Sequence, residues 1–291
     1  MSDDASQTDP EPTALQGRTI RAVEVAAGDA LADAIADIHQ DRLDAVVLRG
    51  AFPAPLREAI LARLADGALP WQRPNSSGPQ ADIHVLGVAA TPTFNTPGGP
   101  ALDRYFADAA GYTELYDQLF ASAPGRADAI EELLEQVSGG RPVERLAARD
   151  GRQFAGCTIR SLPEGQRIIV HNDGRHYQLP VYGDVVADLD TTTCLSFVVL
   201  LQEPAAGGEL VIHGLAASDP TPRLPSGMPD GEAIKARYRS HRVDLAAGDV
   251  LVFAAGRLYH HVAPVVGATP RITLGGFLTL DRDHRRVIYW N

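Results

Sequence analysis

From Phe154 onward the chain is a run of short β-rich segments divided by turn residues, and this pattern limits its fold more than any other feature. The segments read CTIRSL, QRIIVHND, CLSFVVLLQ, GELVIHG, HRVDL, DVLVFA, LYHHVAPVV and RITLGGFLTL. Eight strands at this spacing predict a sandwich or barrel that closes on itself. The irregular stretch 216–239, rich in Pro and Gly, reads as an insertion between strands, with a short helix near 232–238.

The first half is mixed. Residues 1–17 carry too little apolar surface to offset ordering entropy and read as a disordered leader. A strand is expected at 19–25 and a helix over 29–41, where Leu31, Ile35 and Ile38 recur at helical intervals. A short buried strand at 43–48 follows, then a helix over 55–64 with Leu56, Ile60 and Leu64 on one face. From 69 to 100 the text turns to Pro, Gly, Asn, Ser and Thr, which is loop chemistry and a place for a substrate lid. Helices over 102–120 and 126–137 come next, the second ended by Gly139, Gly140 and Pro142. No internal repeat or linker separates the halves, so a single α+β domain over 18–291 is expected, with helical support in 18–153 and a β core in 154–282.

Composition narrows the function classes. With 291 residues and 45% hydrophobic content, a large core is available without disulfides or a structural metal. The balance of 26 basic against 37 acidic residues has the wrong sign for binding a phosphate backbone, so nucleic acid is not an expected partner. Cys157 and Cys194 lie 37 residues apart inside hydrophobic stretches and read as buried free thiols. The N-terminus lacks a signal peptide's apolar core, and no run approaches a membrane span. These features point to the reducing cytoplasm and away from the membrane.

The chemistry gathers in the second half. The strand 167–173 ends in His171-Asn172-Asp173, and side chains two apart on a strand share a side, so His171 and Asp173 can converge on one ion. A third ligand fits the segment 258–265, 87 residues past Asp173, where His260 and His261 point to opposite faces. Two histidines and one carboxylate that leave the opposite positions open form the ligand set of mononuclear non-haem iron oxygenases. An anionic co-substrate at such an ion needs its own cation. Arg271 and Thr273 share a face of a later strand and can grip a carboxylate, the guanidinium in bidentate fashion. Arg160, 11 residues before His171 on the expected neighbouring strand, must meet an anion if it points inward.

With these residues the sequence resembles the Fe(II)/2-oxoglutarate-dependent oxygenases with a double-stranded β-helix (jelly-roll, cupin-like) core. The resemblance rests on His171-Asn172-Asp173, Gly207-Gly208-Glu209-Leu210, the Gly248-Asp249 turn, His260-x-Val262-x-Pro264 and Arg271-x-Thr273, and covers about 155–280. Within the family the likeness is greatest to the carrier-independent halogenases and hydroxylases that tailor indole alkaloids, through Thr158-Ile159-Arg160, Glu164-Gly165 and Gly207–Val211. The resemblance implies His171, Asp173 and His260 as ligands of Fe(II), and Arg271, Thr273 and Arg160 as contacts of 2-oxoglutarate. It also implies hydroxylation of an unactivated C–H bond of a small molecule, a natural-product intermediate or amino-acid derivative, with release of succinate and CO2. The halogenases carry Gly where this chain has Asp173, which opens a coordination site for chloride; with Asp173 present that site is filled and hydroxylation is favoured.

Alternatives remain at this stage. A metal-dependent cupin-type enzyme shares the barrel, though its usual pair of close histidines followed by a glutamate is not found. A non-catalytic binding barrel would carry an incomplete site. Among the other histidines, His261 reads as packing or substrate-facing, His213 as a satisfied sheet residue, and His176 as a turn residue able to meet substrate. His39, His84, His241 and His284 read as surface or structural.

Overall fold

Arg271–Leu280 forms the longest strand, β14, and organises the sheet around it. It is flanked along one edge by β7 (Leu195–Gln202) and along the other by two strands in succession. Its first half pairs with β5 (Thr158–Leu162) and its second half with β15 (Val287–Trp290), all antiparallel. The structure is a computed structural model that describes residues 14–26, 33–66, 69–73, 82–88, 99–121, 129–174, 182–183 and 185–291.

The nine-stranded sheet continues beyond β7 through β11 (Val250–Phe253) and β2 (Ala45–Arg49) to β1 (Ala22–Ala26). Two short strands complete it, β3 (His84–Leu86) on β5 and β4 (Val143–Arg145) on β15. A four-stranded sheet runs in the order β10 (Ser240–Val243), β9 (Leu210–Ala216), β12 (Leu258–Val262), β6 (Ile168–His171). A small ribbon pairs β8 (Ala206–Gly207) with β13 (Val265–Val266). Along the chain, β5, β7, β11 and β14 go to the large sheet while β6, β9, β10 and β12 go to the small one. Buried residues of both sheets, among them Phe197, Val199 and Leu274 of the large one and Leu210, Ile212 and Leu258 of the small one, belong to one cluster.

The run Leu195–Gln202 is almost unbroken in apolar residues because both its faces are covered. The α2 helix (Ala54–Ala65) packs on it, with Leu56, Ile60 and Leu64 buried at a spacing of four. The helices α1 (Ala34–His39), α3 (Pro100–Ala121) and α4 (Ala129–Glu135) add their apolar faces to the same core. On the outer face of the small sheet, α5 (Gly231–Arg237) seats Ile234 against Val170, Leu215 and Tyr259. Asp230 caps α5 by accepting from the Ala233 amide at 3.0 Å.

All eight expected core segments form strands, and the helices at 55–64, 102–120 and 232–238 form as α2, α3 and α5 with shifted ends, while the one expected at 126–137 forms as α4, its residues 126–128 lying outside the described ones. Four expectations need correction. The segment 18–153 is more than a helical support: besides β1 and β2, which meet the strands expected at 19–25 and 43–48, it sends β3 and β4 into the large sheet. Strand β3 lies inside the expected loop 69–100, whose residues 74–81 and 89–98 lie outside the described ones. The β core runs past residue 282, since β15 pairs with β14. The leader ends earlier than residue 17: Gln16 donates to Arg237 O at 2.8 Å and accepts from the Arg239 amide at 2.9 Å. Gly17 and Gly214 lack side chains where those backbones cross. Residues 1–13, and 29–32 of the expected first helix, lie outside the described residues. Cys157 and Cys194 are buried and not joined in a disulfide, as expected.

One buried ion cluster joins the N-terminal edge of the large sheet to the turn before β12. The fully buried Asp44 carboxylate accepts from Arg18 at 2.5 Å and from the Arg21 amide at 2.8 Å, with Arg257 at 3.5 Å. Replacing Asp44 by Ala leaves these guanidiniums only the half-exposed Asp41 as counterion. The loss falls below the roughly 3–5 kcal/mol of a fully buried pair because Arg18 and Arg21 reach solvent, so about 2 kcal/mol is expected. A urea unfolding midpoint unchanged in Asp44→Ala would refute this role.

Candidate metal centre

Strands β6 and β12 lie side by side with His171 opposite His260 in register, and their ring centroids are 4.3 Å apart. Alternation along β12 turns Leu258, His260 and Val262 inward and Tyr259 and His261 outward. His260 is buried, and the edge of Phe253 packs against its ring at 4.9 Å. Asp173 lies just past the end of β6. Its amide donates to Ala255 O at 2.9 Å, which fixes the backbone beside the two imidazoles. The crossing is tight: a side chain on Gly174 would meet Gly256 O at 2.6 Å, and one on Gly256 would meet the Cys194 amide at 2.7 Å.

The donor atoms converge. His171 Nε2 lies 3.8 Å from Asp173 Oδ1, and His260 Nε2 lies 3.7 Å from Asp173 Oδ2. All three donors fall within 4.8 Å of one another. These separations exceed a hydrogen bond and leave room for an ion between the groups. Each imidazole uses its other nitrogen on its own strand, His171 Nδ1 with Ile169 O at 2.7 Å and His260 Nδ1 with Leu258 O at 3.1 Å. With Nδ1 donating, Nε2 presents its lone pair inward, the tautomer a metal needs. Burial, reinforced by the neighbouring His171, lowers the His260 pKa to about 3, so this imidazole stays neutral. The donor set of two neutral imidazoles and one carboxylate fits a divalent first-row transition metal.

A cationic pocket adjoins the triad. In the β5–β14 ladder Thr273 faces Arg160 and Arg271 faces Leu162, so Arg160, Arg271 and Thr273 share one face. Arg271 and Thr273 are buried. Burial and the like charge of Arg160 lower the Arg271 pKa to about 10; burial also lowers that of Arg160, against the opposing charge of Asp173. Among the described residues no carboxylate lies within ion-pair distance of either guanidinium. Two inward cations left this way call for an anion. The glycine pair Gly275-Gly276 marks close backbone approach: side chains there would meet Phe197 O at 2.5 Å and Trp290 O at 2.6 Å. Gly207 and Gly208 turn the chain with φ of +67° and +71°.

The other histidines sort differently. His261 points away from the triad and stacks on His213, with His213 Nε2 2.9 Å from His261 Nδ1. His213 is only half satisfied, because its Nδ1 is buried without a partner. His84 packs near Trp71. His39 is buried with His284 beside it, so of the two readings, surface or structural, the surface one does not apply to His39. His176 lies outside the described residues. Sequence reasoning missed the Ala255 carbonyl and Phe253, which position Asp173 and His260 and carry no signal of their own. It also missed a cleft of about 310 Å³ beside Asn172 and Gly174. Thr191 to Cys194 line it, as do Ser218 and Arg223 from the 216–239 insertion. No described helix is long and apolar enough to cross a membrane.

A sequence model of the family described as carrier-protein-independent halogenase WelO5 matches residues 20–291. No curated protein matches the chain. Among solved structures, an N-substituted L-amino acid dioxygenase from Burkholderia ambifaria AMMD superposes with a TM-score of 0.54 at 16% identity, over 89% of this chain and 91% of its own. The same enzyme in complex with alpha-KG gives 0.52 at 16% identity, over 88% and 90%. These likenesses speak to the fold.

Burial depresses His213 and His261 to a pKa of about 4; the charges of His261 and Lys235 add to it at His213, and that of Lys235 adds to it at His261 against the opposing Glu232. Unfolded histidines bind protons below about pH 6.5 while these stay neutral, so the unfolded state gains protons first and stability falls as pH drops. In metal-free protein the urea midpoint should therefore decline from about pH 7 to pH 5, and less so in His261→Gln. A flat profile in the parent chain would sink this account.

Proposed function

This chain belongs to the family of the carrier-protein-independent halogenase WelO5, and from that premise we propose that it is an Fe(II)- and 2-oxoglutarate-dependent dioxygenase that hydroxylates an unactivated C–H bond of a small molecule. The observation that carries the proposal is the Asp173 carboxylate set between the inward nitrogens of His171 and His260. The alternation of core strands between the two sheets reads as a double-stranded β-helix, and the triad lies where β6 and β12 of the small sheet run together.

His171, Asp173 and His260 would hold the ion. When bound, Fe(II) supplies dioxygen activation coupled to oxidative decarboxylation of 2-oxoglutarate to succinate and CO2. The chain's own part is positioning and charge. The two Nδ1 hydrogen bonds lock the imidazole planes, and the Ala255 carbonyl holds Asp173 in reach. Asp173 cancels one of the two metal charges, so the site keeps a positive balance that draws a dianion. Arg271 and Thr273 receive the distal carboxylate of that dianion, and Arg160 lies between them and Asp173. Burial of this face excludes water and strengthens each of these contacts. The substrate is a natural-product intermediate or amino-acid derivative.

Asp173 also bears on the kind of oxidation. A carboxylate at this position takes up a ligand place that halide transfer needs open, which favours hydroxylation over the halogenation in the family's name. A cupin-type enzyme or a non-catalytic barrel would not require the paired inward guanidiniums Arg160 and Arg271.

Two measurements test the proposal. Anaerobic addition of Fe(II) and 2-oxoglutarate should give the weak visible charge-transfer band of the chelate, and air should then release succinate; the absence of both signals would overturn the reading. In Arg271→Gln the 2-oxoglutarate concentration for half-saturation should rise roughly ten- to a hundredfold, the value of a charge-assisted hydrogen bond. His171→Ala should lose the band altogether.

A further inference from the structure

A second cluster of two histidines and one carboxylate lies away from the first. His39 is the last residue of α1, Asp190 follows the bridge of Leu189 to Asp281, and His284 sits in the turn between β14 and β15. The three donors again fall within 4.8 Å of one another. We propose that His39, Asp190 and His284 form a second divalent transition-metal site, one that takes zinc and ties these three segments together.

The geometry carries it. The His39 side chain is 3% exposed, and its Nε2 is buried without a hydrogen-bond partner, pointing toward Asp190 Oδ1 at 3.6 Å. Burying such an atom unmatched is costly, and 3.6 Å is too long for a hydrogen bond to mend it. It is close to the separation of about 3.4 Å between two ligands on one tetrahedral zinc. The second carboxylate oxygen, Oδ2, takes His284 Nε2 at 2.6 Å, so Asp190 already gathers both rings. A cation would replace the proton shared in that contact, and the half-exposed His284 ring has the freedom to draw back to ligand distance. His284 also leaves a path to solvent for water as the fourth ligand.

The donors are held in place independently of any ion. The Asp190 amide donates to Leu280 O at 2.9 Å, its carbonyl accepts from Thr279 Oγ1 at 2.8 Å, and its Oδ1 accepts from the Thr192 amide at 2.9 Å. His284 adopts φ +56°, with its carbonyl bound by Arg141 Nε at 2.7 Å. The nearby cation Arg257 is already engaged by Asp41 and Asp44, at 3.4 and 3.5 Å. A bound ion would therefore link α1, the segment leading into β7 and the β14–β15 turn, which are far apart in sequence.

The test strips the first centre and counts metal. The full chain carrying His171→Ala and His260→Ala, freed of metal and equilibrated with zinc, should retain about one zinc per chain by plasma mass spectrometry. That zinc should be lost on adding His284→Asn or His39→Gln, and zinc should raise the melting temperature only while His284 is present. Should the stripped chain fail to fold, the unsubstituted protein serves instead, its content falling from about two zincs to about one in His284→Asn. Less than about a fifth of an equivalent in the stripped chain, or zinc retained in His284→Asn, would overturn the proposal.

Discussion

The arrangement depends on one constraint: an interior that gathers cationic and metal-seeking groups must exclude water while keeping each group chargeable or neutral as its task demands. His260 illustrates the neutral side. Buried against Phe253 and facing a second imidazole, it cannot hold a proton near neutral pH, so its lone pair stays available. Arg271 illustrates the charged side, since even a pKa lowered to about 10 leaves its guanidinium cationic under ordinary conditions. One carboxylate, Asp173, stands between these demands, pairing with the imidazoles by geometry and with Arg160 by longer-range attraction.

Sheet register converts that constraint into positions. His171 and His260 meet because β6 and β12 are adjacent and antiparallel with these residues opposite each other. Arg160 and Thr273 meet for the same reason in the β5–β14 pair. A slip of one residue in either ladder would send these side chains to the outer face, as the neighbouring His261 already goes. Asp173 is the exception, because it lies beyond its strand and is positioned by its backbone hydrogen bond to Ala255 and by glycines that let two turns touch.

Legibility followed the length of the pattern. The core strands could be read because β-rich apolar runs of four to ten residues stand between turn residues, and α2 because three apolar residues recur at a spacing of four. Strands β3 and β4 have three residues each, too short to establish a period, and β15 comes after the run that defined the core. The triad was visible because His171 and Asp173 are two residues apart and His260 follows in a β segment. The cluster of His39, Asp190 and His284 has no such trace; its members come from a helix end, a loop and a turn, and nothing local joins them.

Residue order alone settled which side chains were able to share a face, since that follows from a period of two along each strand, and it settled that Asp, not Gly, stands at position 173. It determined an interior large enough to fold without disulfides. Which strand lies against which, and so which imidazole meets the carboxylate and which stacks outside on His213, was decided only when the sheets assembled. Pairing joins residues that are remote in the chain, and the free energy favouring one register over another comes from burying a whole face at once, a quantity no short stretch of sequence contains.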